Sequence, residues 1–292
     1  MINIAGRPVS PESLSNGLPG GPIANKIIAI MANSRAVYYF SSESELEFEV
    51  RMRLAIIDSA KALFQSRAQF ADFYTSRCNP AYWDLTENGG FRLKPGVPAS
   101  VAINDIFVNG EMYAFECATA MIMILYRATL QVLPEQNFNR LFANMFLWGW
   151  KYDKDLAIVH RIPEDYLPGD IRYFKNPDVN PMTPQWQGEN GVDMGDGTYF
   201  GHGIGIKTPE GIIESLKQRM KPGATRMPYL MAPATRPGFK YLYRFSYANR
   251  EAESGTEIRV FNEEFVEQKV SLDEYFQQMD DYATRYITVR FG

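Results

Sequence analysis

Hydrophobic residues in the first third of the chain recur at helical spacing. From 41 to 74, apolar side chains lie three, four or seven positions apart, at Leu46, Val50, Leu54, Ile57 and Phe64. Ser42 and Glu45 stand just before and within the start of this pattern, at the spacing of a capping box. We therefore predict a long helix over 41–74 that begins at Ser42.

An almost unbroken apolar run lies within the stretch YAFECATAMIMILY, from Tyr113 to Tyr126. Its segment 118–125 is apolar on every side, which is typical of a buried helix. The run is shorter than the about 20 apolar residues that a membrane span requires. Because Cys117 directly precedes it, we expect this thiol near a helix N-terminus, where the helix dipole and unpaired N–H groups favour a thiolate.

The second half of the chain changes from a helical to a strand-like pattern. A further amphipathic helix is predicted over 135–150, and short β-like segments separated by turns begin near Asp155. A helix capped by Thr208 is predicted next, followed by a strand over 240–248. Helices early in the chain and antiparallel strands late in it indicate an α+β fold.

Composition excludes several classes of protein. The 292 residues are 46% hydrophobic, enough for a full core, and the net charge of −4 without a basic block argues against a nucleic-acid partner. The first 22 residues contain Pro and Gly where a secretory signal would be apolar. Two cysteines are too few for a disulfide framework or a cysteine zinc site. We expect a cytoplasmic protein with no membrane span, metal or cofactor.

The acidity of the chain is concentrated at its C-terminal end. Residues 251–292 contain ten acidic side chains against four basic ones. Strand-like alternation at 256–261 and 285–291 flanks a short helical segment whose Ser271 and Glu274 have capping-box spacing. We predict one domain over 1–250, with a loop-rich segment over 1–40, and an acidic strand–helix–strand extension over 251–292 that packs against the rest of the protein.

Cys117 is the first candidate for chemistry, since a cysteine nucleophile needs only a nearby base. The chain has two histidines. His160 precedes a proline-containing loop, whereas His202 lies between two glycines that allow backbone or substrate to approach it closely. Cys78 lies in a turn-like stretch with no acid or histidine beside it, so we assign it no chemical role.

A predicted hairpin brings a carboxylate to His202. If Asp196 and Gly197 form a two-residue turn, Glu189 becomes a diagonal neighbour of His202 on one face of the hairpin. A turn at Gly195 and Asp196 instead places the two residues directly opposite each other. Either register predicts a site of cysteine, glutamate and histidine for nucleophilic catalysis. The alternative is that Cys117 and His202 are ordinary core residues.

Three motifs occur in this order along the chain: YAFECATAMIMILY, YFKNPDVNPMTPQWQGEN and YFGHGIGI. Together they resemble the protein-glutamine γ-glutamyltransferase of spore-forming bacteria, the spore-coat transglutaminase, over about residues 40–240. The resemblance implies that Cys117 is the nucleophile, His202 an acid and base, and Glu189 the catalytic carboxylate, with Glu116 as the acidic neighbour of the cysteine. It also implies a core similar to the NlpC/P60 branch of papain-like enzymes, in which a cysteine-bearing helix packs on an antiparallel sheet.

The activity implied by this resemblance is the cross-linking of proteins. A thioester on Cys117 would pass the acyl group of a protein glutamine to a lysine, giving ε-(γ-glutamyl)lysine bonds without calcium. The expected partners are glutamine- and lysine-bearing spore-coat proteins, in the mother-cell cytoplasm and the spore coat. Because water would hydrolyse the thioester, we expect a closed substrate channel. Its candidate aromatic residues are Phe70, Trp150, Tyr173 and Trp186.

Two other functions use the same residues differently. An NlpC/P60-type cysteine peptidase or amidase would use water as the acceptor of the acyl group. A non-enzymatic coat assembly module would keep the fold with an inert Cys117. Within the transglutaminase hypothesis, the sequence leaves open whether Glu116 or Glu189 deprotonates the lysine.

Overall fold

The structure is a computed structural model that describes residues 1–14 and 21–247. Its helices are α1 to α8 in chain order: Pro11–Leu14, Pro22–Asn33, Glu43–Gln65, Ala99–Val108, Cys117–Val132, Glu135–Leu141, Pro209–Lys217 and Phe239–Tyr243. Short 3-10 helices occur at Gly110–Met112, Lys154–Leu156 and Pro184–Trp186. The described residues form 14 strands, β1 to β14: Ile2–Ile4, Arg7–Val9, Tyr38–Phe40, Gln69–Phe70, Trp83–Leu85, Phe91–Leu93, Ala114–Phe115, Phe146–Leu147, Val159–Arg161, Ile171–Lys175, Gly188–Asp193, Tyr199–Gly201, Gly205–Lys207 and Tyr229–Arg236.

A six-stranded antiparallel sheet forms the framework of the second half of the chain. Its strand order is β13-β12-β11-β10-β14-β9, and every neighbouring pair in it is antiparallel. Smaller sheets join β2-β1-β3, β4-β7 and β5-β6-β8. The mixture of early helices and a late antiparallel sheet confirms the predicted α+β class.

Helix α5 is the central element of the core. Its side chains from Ala120 to Tyr126 are all fully buried, as the apolar run predicts. The helix contacts α3, α4 and strand β11. The expected arrangement of a buried, cysteine-bearing helix against an antiparallel sheet is therefore present in the structure.

Helix α3 begins where the capping box predicts and ends earlier than expected. The Ser42 hydroxyl accepts a hydrogen bond from the Glu45 backbone N–H at 3.2 Å, while the Glu45 carboxylate accepts one from the backbone of Ser41. The helix ends at Gln65, so the prediction of a helix to 74 is wrong in its last part. Arg67 adopts a left-handed conformation with φ of 64°, and residues 69–70 pair with β7. A non-local strand pairing thus overrides the local helical pattern.

Three other expectations need correction. The segment 1–40, expected to be loop-rich, contains the 12-residue helix α2 and strands β1 to β3. The helix predicted over 135–150 ends at Leu141, and 146–147 is a strand. The strand predicted over 240–248 is wrong, because Phe239–Tyr243 is the helix α8. Its aromatic residues pack on α3: Tyr243 lies 5.6 Å from Phe48 in an edge-on ring contact.

Two further expectations concern the ends and the surface of the molecule. The predicted strand–helix–strand extension over 251–292 lies outside the described residues. Among the helices of 1–14 and 21–247, none is long and apolar enough to cross a membrane.

Candidate active site

Cys117 is the first residue of α5 and is 6% exposed. The residue before it, Glu116, is the N-cap of the helix. Its carboxylate accepts hydrogen bonds from the backbone N–H of Ala118 at 2.7 Å and of Thr119 at 2.6 Å. It also accepts one from the Thr119 hydroxyl at 2.7 Å. Glu116 thus pairs two of the first-turn N–H groups that a helix leaves without partners.

The surroundings of the Cys117 sulfur both oppose and support a negative charge. Burial raises the pKa of the Cys117 thiol well above its usual value, and the carboxylates of Glu189 and Glu116 raise it further. The backbone and side-chain N–H groups of Asn190 act in the opposite direction and lower this pKa. The Asn190 side-chain amide lies 3.5 Å from the sulfur. We conclude that the resting site contains a thiol, with a hydrogen-bond donor already in place for the thiolate.

Glu189 is completely buried on strand β11. Neither of its carboxylate oxygens has a hydrogen-bond partner of normal geometry among the described residues. Burial raises the pKa of this carboxyl well above its usual value, and the repulsion of Glu116 adds to the shift. The His202 backbone N–H and the charge of Arg219 lower the pKa of Glu189 by less. Among the described residues, Glu189 is thus a buried carboxyl with weak hydrogen bonding and a raised pKa, the kind of group that is often found at functional sites.

A glycine makes room for the Glu189 side chain. On the neighbouring strand β12, a Cβ atom at Gly201 would lie 2.8 Å from Glu189 Cγ and 3.0 Å from its carboxyl carbon. Any larger residue at Gly201 would therefore displace the Glu189 carboxyl group. The space at Gly201, expected from the sequence to serve backbone or substrate near His202, is occupied by the Glu189 side chain.

The β11–β12 hairpin has a register that differs from both predicted ones. Gly191 pairs with Gly201, and the Met194 N–H bonds to the Thr198 carbonyl at 3.0 Å. The turn therefore has three residues, and its Gly195 and Gly197 adopt φ values of 81° and 91°. Neither two-residue turn is correct, because glycine at both positions permits the longer loop.

Asn190, the residue after Glu189 on β11, contacts the cysteine. Asn190 pairs with Tyr173 of β10, while Glu189 pairs with Phe174, so Asn190 and Glu189 point to opposite faces of the strand. The sequence interpretation missed Asn190. A three-residue turn, indicated by glycine on both sides of Asp196, is the sequence feature that would have placed Asn190 level with His202.

His202 lies beside Phe115, two residues before Cys117 in the chain. Its imidazole ring is neutral near pH 7. It is 8% exposed, and its ring stacks on Phe115 with 4.5 Å between ring centroids. Burial lowers the pKa of His202 to about 4, although the backbone carbonyl groups of Gln69 and Phe115 oppose this shift. The Nε2–H group donates to the Gln69 carbonyl at 3.2 Å. In the described part of the chain, no hydrogen bond joins the His202 ring to the Cys117 sulfur or the Glu189 carboxylate.

Of the four aromatic residues predicted to line a channel, three lie near the candidate site and one lies in the hydrophobic core. Phe70 stacks on Trp186 with 4.8 Å between ring centroids, and it lies 6.2 Å from the His202 ring. Burial raises the pKa of Tyr173, and the negative charges of Cys117, Glu189 and Glu116 raise it further, so Tyr173 lies close to the reactive groups. Trp150 is buried within the main hydrophobic core.

The sequence matches a model of the family described as protein-glutamine gamma-glutamyltransferase over residues 1–246. The chain belongs to this family. It is 47% identical over 236 residues to a protein-glutamine gamma-glutamyltransferase of Bacillus cereus (strain G9842), covering 81% of this chain and 86% of that protein. It is 45% identical over 249 residues to one from Bacillus mycoides (strain KBAB4), covering 85% and 90%.

A solved structure of the family has the same fold. It is described as a transglutaminase from Geobacillus stearothermophilus without C-terminal extension. Its sequence is 51% identical to the chain, and the superposition covers 70% of the chain and 98% of the solved structure, with a TM-score of 0.68.

As a member of the transglutaminase family, the chain is an acyltransferase that acts on protein glutamine. Transfer to an amine requires a site from which water is excluded. The three candidate residues Cys117, Glu189 and His202 are all buried. Over 1–14 and 21–247, no group of three His, Cys, Asp or Glu side chains is placed to hold a metal ion. The second cysteine, Cys78, is half-buried, and burial together with Asp84 raises the pKa of its thiol to about 11.

Proposed function

We propose that Cys117 forms the acyl-enzyme and that Glu189 moves the protons. In the first step the thiol gives its proton to Glu189, and the sulfur attacks the γ-carboxamide carbon of a protein-bound glutamine. The carbon–nitrogen bond then breaks, and the leaving nitrogen takes the proton from Glu189 and departs as ammonia. The observation that supports this role is the complete burial of Glu189, whose carboxylate oxygens have no hydrogen-bond partner of normal geometry among the described residues.

The second half of the reaction uses the same groups in reverse. A neutral lysine ε-amine attacks the thioester carbon, and Glu189 accepts the proton that this nitrogen loses. The carbon–sulfur bond breaks, and the Cys117 sulfur recovers a proton from Glu189. The product is an ε-(γ-glutamyl)lysine cross-link between two proteins.

Glu116 is the weaker candidate for proton transfer. Its carboxylate accepts three hydrogen bonds from Ala118 and Thr119, and these bonds, together with a smaller effect of the Cys117 thiol, lower the pKa that burial raises. Protonation of Glu116 would weaken the hydrogen bonds that its carboxylate accepts at the start of α5. We therefore propose that Glu116 mainly fixes the start of α5 and serves as a secondary proton acceptor.

Asn190 and His202 complete the proposed site. The Asn190 amide, 3.5 Å from the sulfur, would stabilise the thiolate during attack. His202 is neutral near pH 7 because of its lowered pKa, so we assign it a positioning role through its Gln69 bond and a secondary role in proton transfer. Phe70, Trp186 and Tyr173 would line the channel, with Trp150 behind them. We propose that the arrangement is a papain-like core of the NlpC/P60 type.

The proposed substrates are glutamine- and lysine-bearing proteins of the spore coat. The relatives that support this proposal come from Bacillus species, a genus that forms spores. The corresponding locations are the mother-cell cytoplasm and the coat. We also propose that residues 1–250 are the catalytic domain and that 251–292 is a separate acidic extension.

The test is incorporation of a labelled primary amine into casein. Wild-type protein and Cys78→Ala are expected to incorporate the amine equally, because Cys78 has no role in the reaction. Cys117→Ala is expected to show no detectable incorporation, since no other group forms the thioester.

Three results would contradict the proposal. Activity of Cys117→Ala would exclude Cys117 as the acyl acceptor. Peptide-bond cleavage without amine incorporation would indicate a cysteine peptidase. Absence of both activities, with no iodoacetamide labelling of Cys117 at alkaline pH, would indicate a non-enzymatic assembly module.

A further inference from the structure

A guanidinium group and three rings follow one another from the surface to the active site. The Arg219 Cζ atom lies 3.8 Å from the centroid of the Trp186 ring. Trp186 stacks on Phe70 at 4.8 Å, and Phe70 lies 6.2 Å from His202. Arg219, Trp186 and Phe70 are half-exposed, whereas His202 is buried. This row of four side chains, from Arg219 to His202, therefore marks one path by which a substrate reaches the candidate site from solvent.

A glycine permits this close stacking. A Cβ atom at Gly203 would lie 2.7 Å from the Trp186 ring and 3.0 Å from the Phe70 ring. The two rings thus fill the space beside the residue that follows His202. Arg219 covers the outer ring of the pair, at the end of the row nearest to solvent.

Among the described residues, Arg219 has no acidic partner, unlike two cations near it in the chain. Lys217 pairs with Glu214 at 3.0 Å, and Arg226 pairs with Asp178 at 2.5 Å. Within the described ranges, no carboxylate lies within ion-pair distance of Arg219.

Two contacts hold the Arg219 guanidinium in place. One face lies over Trp186, and one N–H group donates to the Ser215 carbonyl. Its remaining N–H donors are available at a half-exposed position. A planar, preorganised guanidinium with free donors suits a carboxylate ligand.

The contacts from Arg219 through Trp186 and Phe70 to His202 place the guanidinium at the solvent end of this approach to the candidate site. Its charge interacts with the buried carboxyl of Glu189, as the effects on both groups indicate. A glutamine side chain that reaches Cys117 leaves the neighbouring residues of its own chain at the mouth of the site. A residue one or two positions from that glutamine would lie where Arg219 and Trp186 are exposed.

We propose that Arg219 is a specificity determinant that selects glutamine substrates with an aspartate or glutamate next to the reactive glutamine. The carboxylate of this neighbour binds the guanidinium N–H groups that do not bond to Ser215, while Trp186 holds the guanidinium plane in place. A lysine or arginine at the same place is repelled, so the site also distinguishes the glutamine donor from lysine-rich segments. The proposal rests on the proposed function, in which Cys117 accepts the acyl group at the end of this approach.

The experiment compares three glutamine peptides that differ only in the residue after the glutamine: Glu, Ala or Lys. The measured quantity is kcat/KM for incorporation of a labelled amine at low salt. With wild-type protein we expect a Glu-to-Lys preference of about tenfold, the lower end for hydrogen bonds to charged groups because the site is half-exposed. The preference should decrease as salt is added.

Variants with matched changes of charge test whether Arg219 is responsible. Arg219→Gln is expected to reduce the Glu-to-Lys ratio to about one, because the charge and one donor pair are lost. Arg219→Lys should retain an intermediate ratio. Lys217→Gln and Arg226→Gln remove a positive charge from neighbouring positions whose cations are already paired, and should keep the wild-type ratio. Melting temperatures of all variants show that the fold is retained.

Several outcomes would overturn the proposal. If Arg219→Gln slows all three peptides equally and keeps their ratio, the residue acts through Glu189 instead of binding substrate. If the control variants lose the preference as well, a diffuse positive field causes it. If wild-type protein incorporates the amine with no preference, this inference fails while the proposed function stands. Amine incorporation that survives Cys117→Ala would instead remove the proposed function.

Discussion

Asp170 and Glu189 are two carboxylates that the fold removes completely from solvent, and their surroundings are opposite. Asp170 accepts hydrogen bonds from Arg53 at 2.9 Å and from Arg236 at 2.6 and 2.7 Å, together with the Leu167 backbone N–H at 2.9 Å. Glu189 accepts no hydrogen bond of normal geometry from the described residues and lies near a second acid, Glu116.

The two environments have opposite effects on ionisation. Burial opposes the charge of Asp170, but the guanidinium groups of Arg236 and Arg53 outweigh it and lower the pKa of this carboxyl. Burial raises the pKa of Glu189, and Glu116 adds to the shift because like charges repel. Equal burial therefore lowers the pKa of one carboxyl and raises the pKa of the other, according to the charges around each. Asp170 connects α3 to strand β14 of the sheet through Arg53 and Arg236, whereas Glu189 is the carboxyl to which we assign proton transfer.

Replacing Glu189 is expected to produce the largest effect. Glu189→Gln removes the proton acceptor, so amine transfer should fall by about 100- to 10,000-fold. The melting temperature should stay the same or rise, because a neutral amide costs less to bury than a carboxylate. The exposed Glu164→Gln serves as the control and should change neither quantity. A large loss of stability in Glu189→Gln would show that this carboxylate has a structural partner after all.

Replacing Asp170 should have the reverse effect. Asp170→Asn leaves Arg53 and Arg236 buried without their counter-charge, which should lower the free energy of unfolding by about 3–5 kcal/mol. Transfer per folded molecule should remain near the wild-type value, since Asp170 does not contact the reactive groups. Denaturant unfolding measures the first quantity and activity at low temperature the second. Asp58→Asn, at an exposed position on α3, is the matched control.

The two carboxylates also differ in how far the sequence predicts them. The buried helix and its Cys117 follow from the apolar run alone, and the start of α3 follows from its capping box. Asp170 carries no local pattern, because its partners Arg53 and Arg236 are 117 and 66 residues away along the chain. Glu189 could be proposed only from the family resemblance and from a hairpin whose register was wrong by one residue.

Errors in the sequence interpretation arise where tertiary contacts decide between similar local patterns. The aromatic residues of 239–243 alternate as in a strand, yet they form a helix because they pack on α3. The sequence Gly195, Asp196 and Gly197 favours a turn, but only the backbone conformation distinguishes a two-residue from a three-residue loop. Asn190 was missed for this reason. The stacking of Arg219 on Trp186 joins distant segments and is not visible in the sequence.

His202 provides a pH-dependent test of the site. Its pKa is about 4 in the folded protein, against an ordinary value of 6.5, so the unfolded chain binds more protons between these values. Stability is therefore lost as the pH falls from 6.5 to 4, by about 3 kcal/mol if His202 acts alone. The raised pKa of Glu189 and of Glu116 works in the opposite direction over part of this range.

A difference measurement isolates the histidine. His202→Phe keeps an aromatic ring against Phe115 and removes the titrating group. On acidification from pH 6.5 to 4, wild-type protein should lose about 3 kcal/mol more stability than this variant. Urea unfolding at several pH values gives both curves. Parallel curves would mean that His202 titrates in the folded protein with its ordinary pKa, and that its burial does not disfavour the charged ring.

The smallest expected effect separates Glu116 from Glu189. Glu116→Ala removes the cap of α5, which should cost about 1 kcal/mol of stability. Ser42→Ala removes the cap of α3 at a helix end away from Cys117 and should cost a similar amount without changing transfer. If Glu189 carries the proton, Glu116→Ala should retain most of its transfer activity once the folded fraction is taken into account. It should also lower the pKa at which iodoacetamide labels Cys117, because Glu116 is one of the two carboxylates that raise this pKa. Loss of transfer in Glu116→Ala at unchanged stability would assign proton transfer to Glu116, and the hydrogen-bonded carboxylate would then be the reactive one.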